Sequence, residues 1–148
     1  MYETILVPTD GSEGTNEAVR NALDIAAAYD ATVHALSVVD ISYPYSGFSG
    51  TINRDRAIDE LESRGRRAVD EIVEQAEEAG VDAVPVVRKS KTVREAILEY
   101  ADETDADVIV MGTHGRTGLG RYMLGSVTEF VVRSANVPVL TVRMLPSE

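Results

Sequence analysis

Val108-Ile-Val-Met111 runs directly into Gly112-Thr-His-Gly115-Arg-Thr-Gly118-Leu-Gly120-Arg-Tyr-Met-Leu-Gly125-Ser126, and the fold is read outward from this passage. The apolar run before the glycines, rich in branched residues, is a short buried strand. The five glycines within the next fourteen positions let the backbone take positive φ and bring N–H groups close to an anion. A helix opens at Ser126, and its first amides and dipole favour negative charge. Phosphate is the natural ligand of a strand, glycine loop and helix start in that order. Ser126 and Glu129 stand at capping-box spacing, so the helix start has support without any ligand. A purely structural alternative stays open, in which the serine caps its helix and the glycines make turns.

The same alternation extends along the rest of the chain. Short branched apolar runs at Thr4 to Pro8, Thr32 to Val39, Val81 to Val87 and Pro138 to Val142 are separated by segments of helical period, which predicts parallel strands joined by crossover helices, an α/β fold. The first helix places Ala18, Val19, Ala22, Ile25, Ala26 and Tyr29 on one face. The second keeps Ile58, Leu61, Gly65, Val69, Ile72, Ala76 and Ala79 in register until Gly80 stops it. Thr92 and Glu95 form a capping box for a third helix with Val93, Ala96, Ile97 and Tyr100 toward the core. Ile41 to Asn53, with Tyr43, Pro44, Tyr45, Gly47, Phe48 and Gly50, reads as a surface loop.

At 148 residues and 44% hydrophobic the chain suits one domain. No apolar run approaches the roughly 18 to 20 residues that span a bilayer, and the amino terminus lacks a basic region followed by an apolar one, so a cytoplasmic protein without membrane contact is expected. The absence of cysteine excludes disulfides, thiol catalysis and thiolate zinc sites. A net charge of −11 opposes nonspecific binding to nucleic acid. Lys89 and Lys91 are the only lysines among many acidic residues, a pattern that resembles proteins of salt-loving organisms.

Two common phosphate motifs fail on this segment. Gly120, Gly125 and Ser126 mimic a P-loop without the lysine that reaches the outer phosphates. Gly115, Gly118 and Gly120 reverse the dinucleotide fingerprint and follow the fourth strand instead of the first. Gly112-x2-Gly115-x9-Gly125-Ser126 instead resembles the nucleotide-binding signature of the ATP-binding universal stress proteins. The resemblance covers nearly the whole chain: Ile5-Leu-Val-Pro8-Thr-Asp10 looks like the family's first strand and turn, Leu36-Ser-Val38-Val39-Asp40 its second strand end, Gly125-Ser-Val-Thr-Glu129 its fourth helix start and Val137-Pro138-Val-Leu140 its last strand. It implies a Rossmann-like five-stranded parallel sheet of order 3-2-1-4-5 with helices on both faces. It also implies that Pro8, Asp10, Val38, Met111 and Gly112 bound the adenosine end, with the Val38 backbone reading adenine. Gly115, Gly125, Ser126 and Val127 would hold the phosphates of ATP, with Mg2+, and Arg116 would add charge. A homodimer paired through the last strand is implied as well.

Asp10 has three readings: ribose acceptor, which we favour, indirect magnesium partner, or cap of the first helix. His34, in mid-strand, reads as structural, and His114 as solvent-facing more than catalytic. Two histidines and no cysteine argue against a transition-metal site. The chain has neither a Gly-x-Ser-x-Gly elbow nor the Ser-Gly-Gly-x-Asp-Ser loop of adenylating enzymes, so no catalytic residue is assigned. The resulting expectation is a nucleotide-dependent sensor or regulator in stress response. A slow ATPase or phosphotransferase, and a dimeric scaffold without nucleotide, are the alternatives.

Overall fold

A computed structural model describes residues 1–12, 14–42, 51–113 and 125–143. In chain order the elements are β1 (Thr4–Pro8), α1 (Gly14–Tyr29), β2 (Thr32–Asp40), α2 (Thr51–Glu78), β3 (Asp82–Ser90), α3 (Val93–Glu103), β4 (Val108–Gly112), α4 (Ser126–Ser134) and β5 (Val139–Val142). The strands form one parallel sheet in the order β3-β2-β1-β4-β5. This is the expected α/β architecture, strand order included.

Because successive strand side chains alternate between faces, each central strand feeds two cores. Ile5, Val7, Val33, Ala35, Val108 and Val110 pack beneath Ala18, Val19, Ala22 and Ala26 of α1 and Val69, Ile72 and Ala76 of α2. Leu6, Leu36, Ile109 and Met111 face the other way, onto Ile97, Tyr100 and Ala101 of α3 and Val131 of α4. Near-continuous apolar runs are what a sheet covered on both faces requires. β3 is an edge and tolerates Pro85: the Ser90 carbonyl accepts from Ile41 beside it, so even-numbered residues of β3 turn their backbone groups to β2 and Pro85 turns its missing donor to the open side.

Three helices end in the same turn. Ala31, Val81 and Ala106 donate backwards to Ala26, Ala76 and Ala101 at 2.9, 2.8 and 2.9 Å, and the residue before each takes positive φ: Asp30 at 56°, Gly80 at 72° and Asp105 at 51°. These are Schellman turns, and each buries the residue that leads into the next strand. Gly80 stops α2 as expected.

Some local expectations change. Tyr29 is 48% exposed and stands edge-on to Tyr2 with ring centroids 5.1 Å apart, because it lies in the last turn of α1 beyond the sheet. Ile58 and Leu61 are half-buried, and Ala79 is exposed in the turn that ends α2. The α2 backbone begins at Thr51, so the end of the expected Ile41 to Asn53 loop is helical; Tyr43 and Tyr45 lie outside the described residues. Thr92 is the N-cap of α3, but its side chain makes no capping bond; the Ser90 hydroxyl accepts the Thr92 amide at 3.1 Å instead.

Candidate functional site

Strands β1 and β4 are held together at one end and separate at the other. At their amino ends Asp107 donates its amide to the Thr4 carbonyl at 2.8 Å, while its Oδ2 accepts the amides of Glu3 and Thr4 at 2.8 and 2.9 Å. Those two donors hold the Asp107 carboxyl below the usual carboxylate range. At the carboxyl ends the β1–β4 ladder stops at Leu6 and Ile109. Strand β1 continues against β2 as far as Pro8 and Leu36, with the Thr9 amide on the Leu36 carbonyl at 2.8 Å. Strand β4 continues against β5 to Gly112 and Val142, with the Thr113 amide on the Val142 carbonyl at 3.0 Å. The order of the sheet reverses between these two strands, and such a switch point opens a crevice beyond the strand ends.

Pro8 and Asp10 form one wall of the crevice. Asp10 is exposed and its Oδ1 accepts the Ser12 amide at 2.9 Å, while Gly11 takes φ 80° and donates to Thr9 Oγ1 at 3.0 Å. Positive φ at Gly11 turns the chain sharply from β1 toward α1. Val38 is half-buried and registers with Arg88. Backbone groups alternate sides along a strand, and the Leu36 carbonyl meets β1; the amide and carbonyl of Val38, two residues on, therefore point past the end of β1.

Met111 and Gly112 form the opposite wall, with Met111 5% exposed. The start of α4 is fixed to this wall. Gly125 donates its amide to the Thr113 carbonyl at 2.7 Å, and Thr128 Oγ1 donates to the Gly112 carbonyl at 3.0 Å. On its far side α4 is held by Arg94 of α3, whose guanidinium lies 4.8 Å from the centre of the Phe130 ring. The first intrahelical bond of α4 runs from Glu129 to Gly125 at 2.9 Å, so the amides of Ser126, Val127 and Thr128 precede it.

The helix start differs from its expectation by one position. Gly125 is the N-cap, and no side chain caps the helix. Ser126 is therefore the first helical residue, which puts Glu129 one place beyond capping-box register; Glu129 pairs along the helix with Arg133 at 2.6 Å instead. Gly125 has φ −63°, so positive φ is not what requires a glycine there. It is buried, with its amide on the Thr113 carbonyl. Val127 packs partly into the α3–α4 core.

Of the ten residues expected to form the site, Pro8, Val38, Met111 and Gly112 lie near the carboxyl ends of β1, β2 and β4, Asp10 follows β1, and Gly125, Ser126 and Val127 lie at the start of α4. Gly115 and Arg116, like His114, lie outside the described residues. The bond from Thr128 is not legible in the sequence, because a threonine three residues into a helix carries no signal of a bond to a strand. His34 has the structural setting expected of it: Nδ1 shares a 2.7 Å hydrogen bond with Tyr100 Oη, and burial lowers its pKa. Among the described residues no group of three or more acidic or histidine side chains is placed to hold a metal, and no helix is long and apolar enough to cross a membrane.

A parallel α/β sheet with its switch point between β1 and β4, and a helix start bonded to the end of β4, defines the class: a doubly wound α/β protein. The model of the Universal stress protein family matches residues 1–143, and the chain belongs to that family. It is 40% identical over 143 residues to universal stress protein MJ0531 of Methanocaldococcus jannaschii, covering 97% of this chain and 83% of the relative. Universal stress protein UspA from Lactobacillus plantarum has a similar structure, with a TM-score of 0.87 at 26% identity over 96% and 98% of the two chains. A universal stress protein solved in complex with cAMP gives 0.67 at 30% identity over 97% and 98%.

Proposed function

We propose that this protein binds ATP in the crevice between β1 and β4 and acts as a nucleotide-dependent sensor or regulator under stress, not as an enzyme. The observation that carries the reading is the attachment of α4 to the end of β4, which brings the first amides of the helix, those of Ser126 and Val127, beside the carboxyl end of that strand; a helix start and its dipole favour phosphate. Adenine lies against Val38, whose amide and carbonyl offer the paired donor and acceptor that a purine edge needs. Pro8, Met111 and Gly112 line the adenosine end, and Asp10 accepts from ribose. Gly115 and Arg116, in the segment that links β4 to α4, complete the phosphate contacts. Mg2+ accompanies the phosphates. The donor set suits this ligand, since amides at a helix start serve an anion and the adenosine end is largely apolar.

A second reading takes a nucleoside monophosphate or a cyclic nucleotide as the ligand, and the cAMP complex of a 30% identical relative favours it. Mass spectrometry of ligand released from the purified native protein, with calorimetric titration of magnesium ATP, AMP and cAMP, separates the two. Tightest binding of ATP is expected; a preference for cAMP moves the assignment to the second reading, and no binding of any adenine nucleotide refutes both. Gly115→Val should abolish ATP binding in a folded protein, because its side chain occupies space the phosphates need.

The protein is further proposed to be a cytoplasmic homodimer paired through β5, an edge strand of the sheet on which Leu140 is 38% exposed. Sedimentation at micromolar concentration and high salt should give twice the chain mass. A stable monomer there removes this part of the proposal.

A further inference from the structure

The Thr128 hydroxyl ties the start of α4 to the end of β4. Thr128 is 5% exposed and occupies the third helical position of α4, where a threonine normally faces solvent or bonds its own helix. Here Oγ1 donates out of the helix, at 3.0 Å, to the carbonyl of Gly112, the last residue of β4. The Gly125 amide also joins this wall to the start of α4, through the Thr113 carbonyl at 2.7 Å. The Thr113 bond holds the helix at Gly125, and the Thr128 bond, three residues further along, adds a second anchor to the same wall, beside the packing of Val131 in the core and of Phe130 under Arg94. The amides of Ser126 and Val127 lie between the two anchors, so their direction relative to the wall of Met111 and Gly112 depends on both.

Resting on the nucleotide reading above, we infer that Thr128 is a positioning residue for the phosphate end of the site: it makes no contact with the ligand itself, but its bond to Gly112 aims the first amides of α4 at the phosphates while leaving the adenosine end unaffected. Backbone donors recognise an anion only when held within a fraction of an ångström, so a small tilt of α4 weakens phosphate binding disproportionately. The adenosine end is built from β1, β2 and β4, whose placement comes from the sheet ladders; Gly112, although it accepts the Thr128 bond, is held with Met111 by the pairing of β4 with Thr141 and Val142 of β5.

The test compares Thr128→Val and Thr128→Ala, which remove the hydroxyl, with Thr128→Ser, which keeps it. Magnesium ATP and adenosine are titrated calorimetrically into each, with circular dichroism to check folding. The parent must bind both ligands; a parent that binds neither refutes the nucleotide reading and this inference with it. The expected result is a loss of ATP affinity of roughly tenfold or more in the folded variants without the hydroxyl, adenosine affinity unchanged, and recovery in Thr128→Ser. A parent that binds ATP while Thr128→Val or Thr128→Ala binds it equally well overturns the positioning role alone. So does an equal loss for ATP and adenosine, which marks general loosening, or a serine variant as weak as the others.

Discussion

Replacing Gly65 with alanine tests how tightly α2 lies on the sheet. Gly65 is a buried mid-helix glycine, and alanine in a helix interior is normally favoured over glycine by about 1 kcal/mol. A Cβ built on Gly65 would lie 2.6 Å from Ser37 Oγ, 3.2 Å from Ser37 Cβ and 3.7 Å from Val87 Cγ1. The hydroxyl can turn away about χ1. Ser37 Cβ cannot, because it belongs to the interior of β2, paired with β3 on one side. Overpacking of this kind costs about 1 to 3 kcal/mol, so the net effect of Gly65→Ala is a destabilisation of about 1 kcal/mol. A double-mutant cycle isolates the contact. In a Ser37→Gly background both close atoms are gone, and adding Gly65→Ala should stabilise by about 1 kcal/mol, reversing the sign. Urea unfolding of the four proteins at one concentration measures both steps. If Gly65→Ala stabilises the parent by as much as it does the Ser37→Gly protein, α2 does not approach β2 as closely as described and the reasoning is wrong.

Gly80 is needed for the opposite reason: no atom lies within 4 Å of a Cβ placed there, but φ is +72°, so Gly80→Ala should cost about 1 kcal/mol through backbone strain alone. Asp105→Gly, at φ 51° in the equivalent turn, should stabilise by about 0.5 to 1 kcal/mol in the same unfolding assay. Burial lowers the His34 pKa, so the unfolded chain binds the proton more readily and stability falls as pH drops through about 6.5; His34→Gln should flatten that part of a melting profile, and an unchanged profile refutes the assignment. Asp107 is shifted down by the Glu3 and Thr4 amides, so its contribution is present above about pH 4 and lost as pH falls through its folded value. Asp107→Asn should therefore be less stable at neutral pH, by about 1 kcal/mol after allowance for solvent screening, with the gap closing in acid. A chain of net charge −11 should melt higher in molar potassium chloride than in dilute buffer, where its like charges are unscreened; equal melting temperatures remove the salt-adapted reading.

The strand positions were legible because parallel strands buried on both faces must be apolar nearly throughout: Thr4–Pro8 stands as read, and the ends of the other four move by three residues or fewer. The helix faces were legible from period alone, apart from residues near helix ends such as Tyr29 and Ala79, where the sheet no longer lies opposite. Gly80 announced its turn, whereas Asp30 and Asp105 make the same turn unannounced, since an aspartate is common in many settings and a glycine after a helix in few. Strand order was available only through family resemblance, because periodicity says which residues are buried and nothing about which strands are neighbours.

Around the crevice the division has the same cause. The residues at the ends of β1 and β4 were available through the family resemblance, while the glycines from Gly112 to Gly125 marked their own segment by composition. Only the tertiary structure decided that Gly125 and not Ser126 caps α4, that Asp107 fastens β1 to β4, and that Thr128 bonds Gly112. Each of these joins residues far apart in the chain or turns on one position of helix phase. A sequence pattern repeats with the period of its own element and holds no information on what a neighbouring element presents to it.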